Sequence, residues 1–388
     1  MKKILAAGAA ALLVVMFLAV NQTFAEGEDV NPGQSFAGEV ICLPDHYQEN
    51  LDGCQLYGPA AYLSNLAKDG ITYPAPPLPL IRPSTEFAKI PYKYAKLTTP
   101  SSPLYSTIGD AMAKVPMLYI AGATRYISYK DFQETDNGAF FQSNFTGGWV
   151  DGGDAARAAP PTFQGLQLRS TPRTSFGWII SPSLTRNSPG FDGKETNREM
   201  QRYEVVTVYA IKKVLNDDWV MIGLDEWVED RVVARVTPNT TAPAGVSNGR
   251  WIEVNLEEQT LMVYDNSQMV FATMVSTGVD PFFTKPGVHR IYEKKPAETM
   301  SGDFSGDRSG YYYLEDVPWT MYFDELRALH GAYWHTLFGY GRSHGCVNLS
   351  IGDSRWLYDW AKVGDYVYVW DPTGKTPTDP KFYTKGGA

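Results

Sequence analysis

Cysteine and histidine are scarce here, three and five respectively among 388 residues. Three cysteines allow one disulfide and leave one thiol over. Charged residues make up 20% and the excess is acidic, for a formal net charge of −9. That balance excludes the basic surface a nucleic-acid-binding protein needs. Only one stretch, Ile4–Val20, is apolar enough to approach the length of a membrane span. With 35 glycines, 26 prolines and 13% aromatics, the chain reads as β-rich and loop-rich, and its length suits two or three domains.

Lys2 and Lys3, the apolar run and Thr23-Phe24-Ala25 before Glu26 form a secretory signal with a cleavage point. Left uncleaved, the same segment would anchor the protein to a membrane. Cleavage removes two lysines and no acid, taking the charge from −9 to −11. An exported protein favours a disulfide between Cys42 and Cys54. Cys346 is then the odd thiol. Such a cysteine is ordinarily buried and inert, but the residues around this one change that reading.

Three of the five histidines, His330, His335 and His344, fall within the nineteen residues 330–348 that also hold Cys346. In Ser343-His344-Gly345-Cys346-Val347-Asn348 the thiol follows a glycine and stands two residues from an imidazole. A thiolate is the reactive nucleophile, and an imidazole can take the thiol proton. Gly345 lets a substrate carbonyl approach the backbone N–H groups of His344, Gly345 and Cys346, the candidate oxyanion donors.

This run, with His330-Gly331 upstream, resembles the signature of the L,D-transpeptidase catalytic domain, a cysteine acyltransferase family of bacterial cell walls. The resemblance extends over residues 248–371, including the meander that begins at Trp251 and has Gln259 in its turn. It implies Cys346 as nucleophile and His330 as base, with the second ring nitrogen of His330 held by the Gly331 carbonyl. His344 would shape the second side of the site. It implies substrate-side or loop-fixing positions at Met321, Tyr322, Ser343 and Asn348. Tyr333, Trp334 and His335 would line an acyl-donor groove, and Arg342 would pair with a stem-peptide carboxylate. The implied reaction crosslinks peptidoglycan stem peptides through a Cys346 thioester without metal or cofactor. The implied role is cell-wall biogenesis and cell shape, the implied inhibitors are carbapenems, and a monomer is expected. Water as acceptor would make the enzyme an L,D-carboxypeptidase. The rival readings are a zinc site on His330, His335, His344 and Cys346, or a non-catalytic wall-binding protein.

The expected fold is mainly β: a sandwich-like catalytic domain over 248–371, with one or two short helices, preceded by a β-rich region over 91–240. That region contains an echo. Phe140-Phe141, Trp149-Val150-Asp151 and Ala156-Arg157 return at Asp218-Trp219, Trp227-Val228-Glu229 and Ala234-Arg235. Two copies 78 residues apart suggest a duplicated β unit, similar to bacterial SH3-like modules. Residues 26–90 read as a disulfide-closed segment with a helical turn at Tyr62–Ala67 and a Pro-rich spacer over 73–79. A loop is expected over Ser181–Arg198, a boundary over Thr237–Asn248, a lid-like insertion over 293–318, and a frayed tail from Pro372. Strand Trp251–Leu256 alternates as if half-buried. Ser350 and Asp353 predict a capping box for a helix over Ile351–Lys362, and Asp365–Trp370 a last strand. His46 and His289 read as surface or structural residues.

Overall fold

The meander predicted from Trp251 onward is present. In the computed structural model, which describes residues 59–81, 84–302 and 311–387, its strands are Trp251–Asn255, Thr260–Asp265 and Gln268–Met274. Gln259 turns the first hairpin with φ +53°. Tyr366–Trp370 joins the first strand in parallel, and Gly287–Arg290 closes that edge. A second sheet holds Tyr312–Asp324, Arg327–Gly331 and Val347–Leu349. Between the two sheets lies an apolar core that includes Ile252, Val254, Leu261, Val263, Met321, Leu329, Val347 and Val367. The chain is mainly β, with three α-helices among the described residues. None of them is long and apolar enough to cross a membrane.

Helix Ile351–Trp360 covers this core with Leu357 and Trp356. Ser350 caps it by accepting from the Asp353 N–H at 3.3 Å. The reciprocal half of the capping box is missing. The Asp353 carboxylate instead accepts from Gly165 N–H at 2.8 Å and from the Thr273 hydroxyl at 2.5 Å. It is a clamp between segments rather than a local cap, and burial pushes its pKa up to about 6.

Trp251–Asn255 is buried on both faces, not half-buried as its alternation predicts. The reason lies upstream. Phe176, Trp178, Ile180, Ala234 and Val236 pack against Trp251, Met262, Tyr264 and Met274 in one cluster. The supposed boundary over 237–248 therefore does not interrupt packing, and residues 71–388 form one compact unit. The Pro-rich stretch is likewise not a free spacer: Leu78 joins that cluster, and Leu80–Ile81 pairs with Leu166–Leu168. In the other unit, residues 1–70, the described element is helix Pro59–Lys68, over the predicted helical turn. The signal segment, His46 and the Cys42–Cys54 pair lie outside the described residues.

The echo has a structural counterpart. Strand, strand, 3-10 turn, strand runs through Gly138–Ser143, Trp149–Asp151, Gly152–Asp154 and Ala155–Ala158. It runs again through Asp217–Gly223, Glu226–Glu229, Asp230–Val232 and Val233–Val236. In each copy the last strand pairs with an early one, Ala155–Ala158 with Lys93–Leu97 and Val233–Val236 with Phe176–Ile179. The expected loop over 181–198 is largely a hairpin, Ser183–Arg186 against Glu195–Met200.

The expected lid-like insertion is also a hairpin. Glu293–Gly302 pairs with Tyr312–Asp324, and Tyr312–Leu314 continues in parallel with Thr124–Tyr126. Glu315 anchors this junction with no exposed surface. Its carboxylate accepts from Ser128 N–H at 3.1 Å, the Ser143 hydroxyl at 2.8 Å and the Tyr313 hydroxyl at 2.9 Å. Above the junction Tyr94 stacks on Tyr333 with centroids 3.5 Å apart. Tyr333 donates to the Glu315 carbonyl at 2.7 Å, and Tyr94 to the Asp316 carbonyl at 2.8 Å. A polar segment looks like a loop in sequence because its polar atoms are satisfied by partners almost two hundred residues away.

Burial pushes the Glu315 pKa up to about 7, above the 4.5 of an unperturbed glutamate. Between those values the folded state holds the proton and the unfolded chain does not, so this group's contribution to stability falls as pH rises. In thermal melts, Glu315→Gln should gain on the wild type as pH is raised from about 5 to about 8. A melting-point difference that stays constant across that range would contradict this.

Candidate active site

Strands Arg327–Gly331 and Val347–Leu349 run parallel, with Leu329 opposite Val347 and His330 opposite Asn348. Cys346 immediately precedes the second strand, so the ladder carries the thiol and His330 on neighbouring strands. Both line a cavity of about 360 Å³. Trp334, His335, Arg342, Ser343, His344 and Asn348 line it too, as do Lys96, Thr124, Tyr126, Met300, Tyr312, Leu314 and Gly387.

His330 is buried, and its Nδ1 meets the Gly331 carbonyl at a long 3.4 Å. A carbonyl can only accept, so the proton sits on Nδ1 and Nε2 keeps its lone pair. Burial lowers the His330 pKa to about 4, against the opposing effect of that carbonyl. Gly331 is required by space: a Cβ there would come within 2.6 Å of Ser354 Oγ.

Cys346 is 5% exposed. Its Sγ lies 3.8 Å from the Leu326 carbonyl, to which the S–H donates. Burial raises its pKa to about 11, partly offset by the Ala328 N–H and the Arg327 cation. The resting pair is thus a neutral thiol and a neutral imidazole.

The loop before the thiol is pinned by its own side chains and by the meander. The Ser343 hydroxyl accepts from Gly345 N–H at 3.1 Å and donates to the Cys346 carbonyl. This removes Gly345 N–H from the expected oxyanion donors. Gly345 has φ +114°, where a side chain is strained, and a Cβ would meet Arg327 Nε at 3.0 Å. Thr284 donates to the Gly345 carbonyl at 2.8 Å and accepts from Gly278 N–H at 2.9 Å. Gln259 holds Thr277 from both ends of its amide, and the Thr277 carbonyl accepts from Arg342 and Ser343 N–H. The turn residue Gln259 is in this way connected to the motif.

His335 accepts from Leu337 N–H on Nδ1 at 3.2 Å, so its proton is on Nε2. The Asn348 Nδ2 lies 3.1 Å from that nitrogen, so with the proton on Nε2 the amide has to be turned to present its oxygen there. His344 stacks on Tyr312, with centroids 5.6 Å apart, and lies near Phe282. Among the described residues no three His, Cys, Asp or Glu side chains converge as a metal site would need.

Met321 and Tyr322, implied as substrate-side or loop-fixing, and Tyr333, implied as a groove residue, are absent from the cavity lining. Met321 is fully buried in the sandwich core, because that side of its strand faces the first sheet. Tyr322 packs in one buried cluster with Ala328 and Cys346, and its hydroxyl donates to Glu298 at 2.6 Å. Tyr333 is the core partner of Tyr94. His289 is structural, its Nε2 2.9 Å from the Lys285 carbonyl.

Other residues at the site were not expected. Arg327 is 1% exposed, pairs with Asp324 at 3.3 Å and donates to the carbonyls of Phe283, Tyr383 and Lys385. It draws in the tail that reads as frayed. Gly387 N–H donates to the His344 carbonyl at 2.7 Å, and the Tyr312 hydroxyl to the Gly387 carbonyl at 3.0 Å. Glycine fits there for want of room: a Cβ on Gly386 would stand 2.6 Å from the His344 carbonyl oxygen. The run Tyr311-Tyr312-Tyr313 held a usable signal, since strand alternation allows Tyr312 to face one side and its neighbours the other.

Residues 249–369 match the family model of YkuD, the L,D-transpeptidase catalytic domain. This segment is an L,D-transpeptidase family catalytic domain. A curated relative, the putative L,D-transpeptidase YciB of Bacillus subtilis (strain 168), is 26% identical over 120 residues, which are 28% of this chain and 59% of that protein. The solved L,D-transpeptidase of Stackebrandtia nassauensis is 30% identical over 34% of this chain and 59% of that one, with a TM-score of 0.26. The catalytic domain of the E. faecium L,D-transpeptidase, solved also as its ertapenem-acylated form, is 25% identical over 32% of this chain and all of that one, with a TM-score of 0.29. The chain thus spans 59% of the length of both the curated relative and the first of these structures.

Two measurements test this geometry. The ultraviolet absorbance of the Cys346 thiolate should be half-developed only near pH 11, and a midpoint at or below the ordinary 9.0 would contradict the buried neutral thiol. Ending the chain after Thr384 removes the Lys385 and Gly387 contacts and should slow acylation of Cys346 about tenfold with the fold retained by circular dichroism, a loss of the size expected for a misplaced reactive loop.

Proposed function

We propose that this chain is a peptidoglycan L,D-transpeptidase working through a Cys346 thioester. The observation that carries this reading is the shared cavity of Cys346 and His330, with His330 Nδ1 committed to the Gly331 carbonyl. Nε2 is the only ring nitrogen left to take a proton. In the first step the sulfur attacks a stem-peptide carbonyl as the S–H proton passes to His330 Nε2. The developing oxyanion is met by the Cys346 N–H. His330 then returns the proton to the departing amine of the D-amino acid. In the second step an amine of another stem attacks the thioester carbonyl, gives its proton to His330 and expels the thiolate, which recovers that proton. One amide is broken and one is made, so neither ATP nor a redox partner is needed. Burial of His330 keeps it neutral at physiological pH, ready to accept.

In this reading the acceptor is an amine, and Tyr126, Met300, Tyr312, Leu314 and Trp334 supply apolar wall beside the polar side chains of the cavity. A β-lactam offers a strained amide to the same sulfur, and we include carbapenems as covalent inhibitors. Export to the cell wall is part of this reading, which joins that substrate to the secretory signal expected over residues 1–25.

Incubation with a disaccharide-tetrapeptide, read by mass spectrometry, should yield crosslinked dimer. Trimmed tripeptide alone would make the enzyme a carboxypeptidase. A carbapenem should add one adduct, lost in Cys346→Ala, and an adduct that survives that substitution would sink the thioester. His330→Gln should cut turnover by about 10²–10⁴-fold.

A further inference from the structure

Among the described residues, the cavity around Cys346 is lined by two exposed cations, Lys96 and Arg342, and by no aspartate or glutamate. The whole chain has the opposite balance, 43 acidic residues against 34 basic. Neither cation is paired with a carboxylate among the described residues. Elsewhere on the surface arginines and lysines commonly hold such partners, as in Arg186 with Glu195 or Lys114 with Asp151.

Lys96 lies far outside the segment that matches the catalytic family. It sits on strand Lys93–Leu97, where Ala95 and Leu97 face that unit's own core. Tyr94 and Lys96 face the other way. Tyr94 is fixed by its stack on Tyr333 and its bond to the Asp316 carbonyl. Two residues further on, the Lys96 stem is delivered to the cavity with its backbone held by Tyr126 on one side and Ala156 on the other. Two like charges sharing one cavity repel each other, and an anionic ligand relieves that repulsion.

We infer that Lys96 and Arg342 form a carboxylate-recognising subsite, so that this enzyme selects stem peptides with free carboxylates over the same peptides amidated there. This rests on the acyl-transfer reading above. Lys96 acts as a specificity residue contributed by the N-terminal β unit, and Arg342 supplies the planar guanidinium that fits a carboxylate edge-on.

The test uses the full chain and two synthetic tetrapeptide donors that differ only in whether the carboxylates away from the reacting bond are free or amidated. Wild type should prefer the free acid about tenfold in kcat/KM, the discrimination one charge-assisted contact gives in an open groove. Lys96→Met should abolish most of that preference, the loss falling on KM for the free-acid donor rather than on kcat, and Lys96→Arg should restore it. Equal use of both donors by wild type overturns the subsite, as does a Lys96→Met variant that loses both donors alike. Absence of any acyl-enzyme with either donor overturns the acyl-transfer reading itself, and the subsite with it.

Discussion

The parallel ladder between Arg327–Gly331 and Val347–Leu349 is the constraint from which the site follows. It fixes which strand carries the imidazole and which begins just after the sulfur. The segment between them, residues 332–346, must then leave the sheet and return within fifteen positions. Tight anchoring makes this possible. Ala332 N–H bonds the Leu349 carbonyl, Ser276 pairs with Asn348, and the Thr277 carbonyl takes two successive amides of the returning loop. The meander therefore does more than supply a core. Its Gln259 turn and the residues after Met274 form the wall against which the reactive loop is set.

The N-terminal β units are fused to this sandwich rather than strung beside it. One lays its strand Thr124–Thr135 along Tyr312–Asp324 and is held there by the buried Glu315 carboxylate. The other covers the outer face of Trp251–Asn255. Burying a carboxylate is costly unless every oxygen is satisfied, and Glu315 meets that condition with donors drawn from three strands. The consequence for the site is direct, because the same junction aims Tyr126 and Thr124 at the cavity.

Local chemistry was legible in the sequence wherever it depends on neighbours in the chain. The meander, the Ser350 cap and the Trp-Val-acid echo could all be read from spacing. The His330–Gly331 contact could be expected from the resemblance. What spacing could not give is which face of a strand meets a partner far away. Met321 and Tyr322 alternate correctly as a strand, but nothing local says that Met321 points into the sandwich while Tyr322 points to Glu298. The hairpin over 293–324 looked like a loop because its polar groups find remote donors. The tail looked frayed because nothing local signals the Arg327 guanidinium that captures the Tyr383 and Lys385 carbonyls, or the Tyr312 hydroxyl that donates to that of Gly387. Lys96 was invisible for the same reason: its role depends on a sheet joined more than two hundred residues later.

The cavity wall is assembled from positions as far apart as Lys96 and Gly387. The segment 249–369 on its own would carry the sulfur and the imidazole but neither Lys96, Thr124 and Tyr126 on one wall nor Gly387 on the other. The pocket is therefore a property of the whole folded unit 71–388, and a fragment trimmed to the family segment would present the same reactive pair in a differently shaped space.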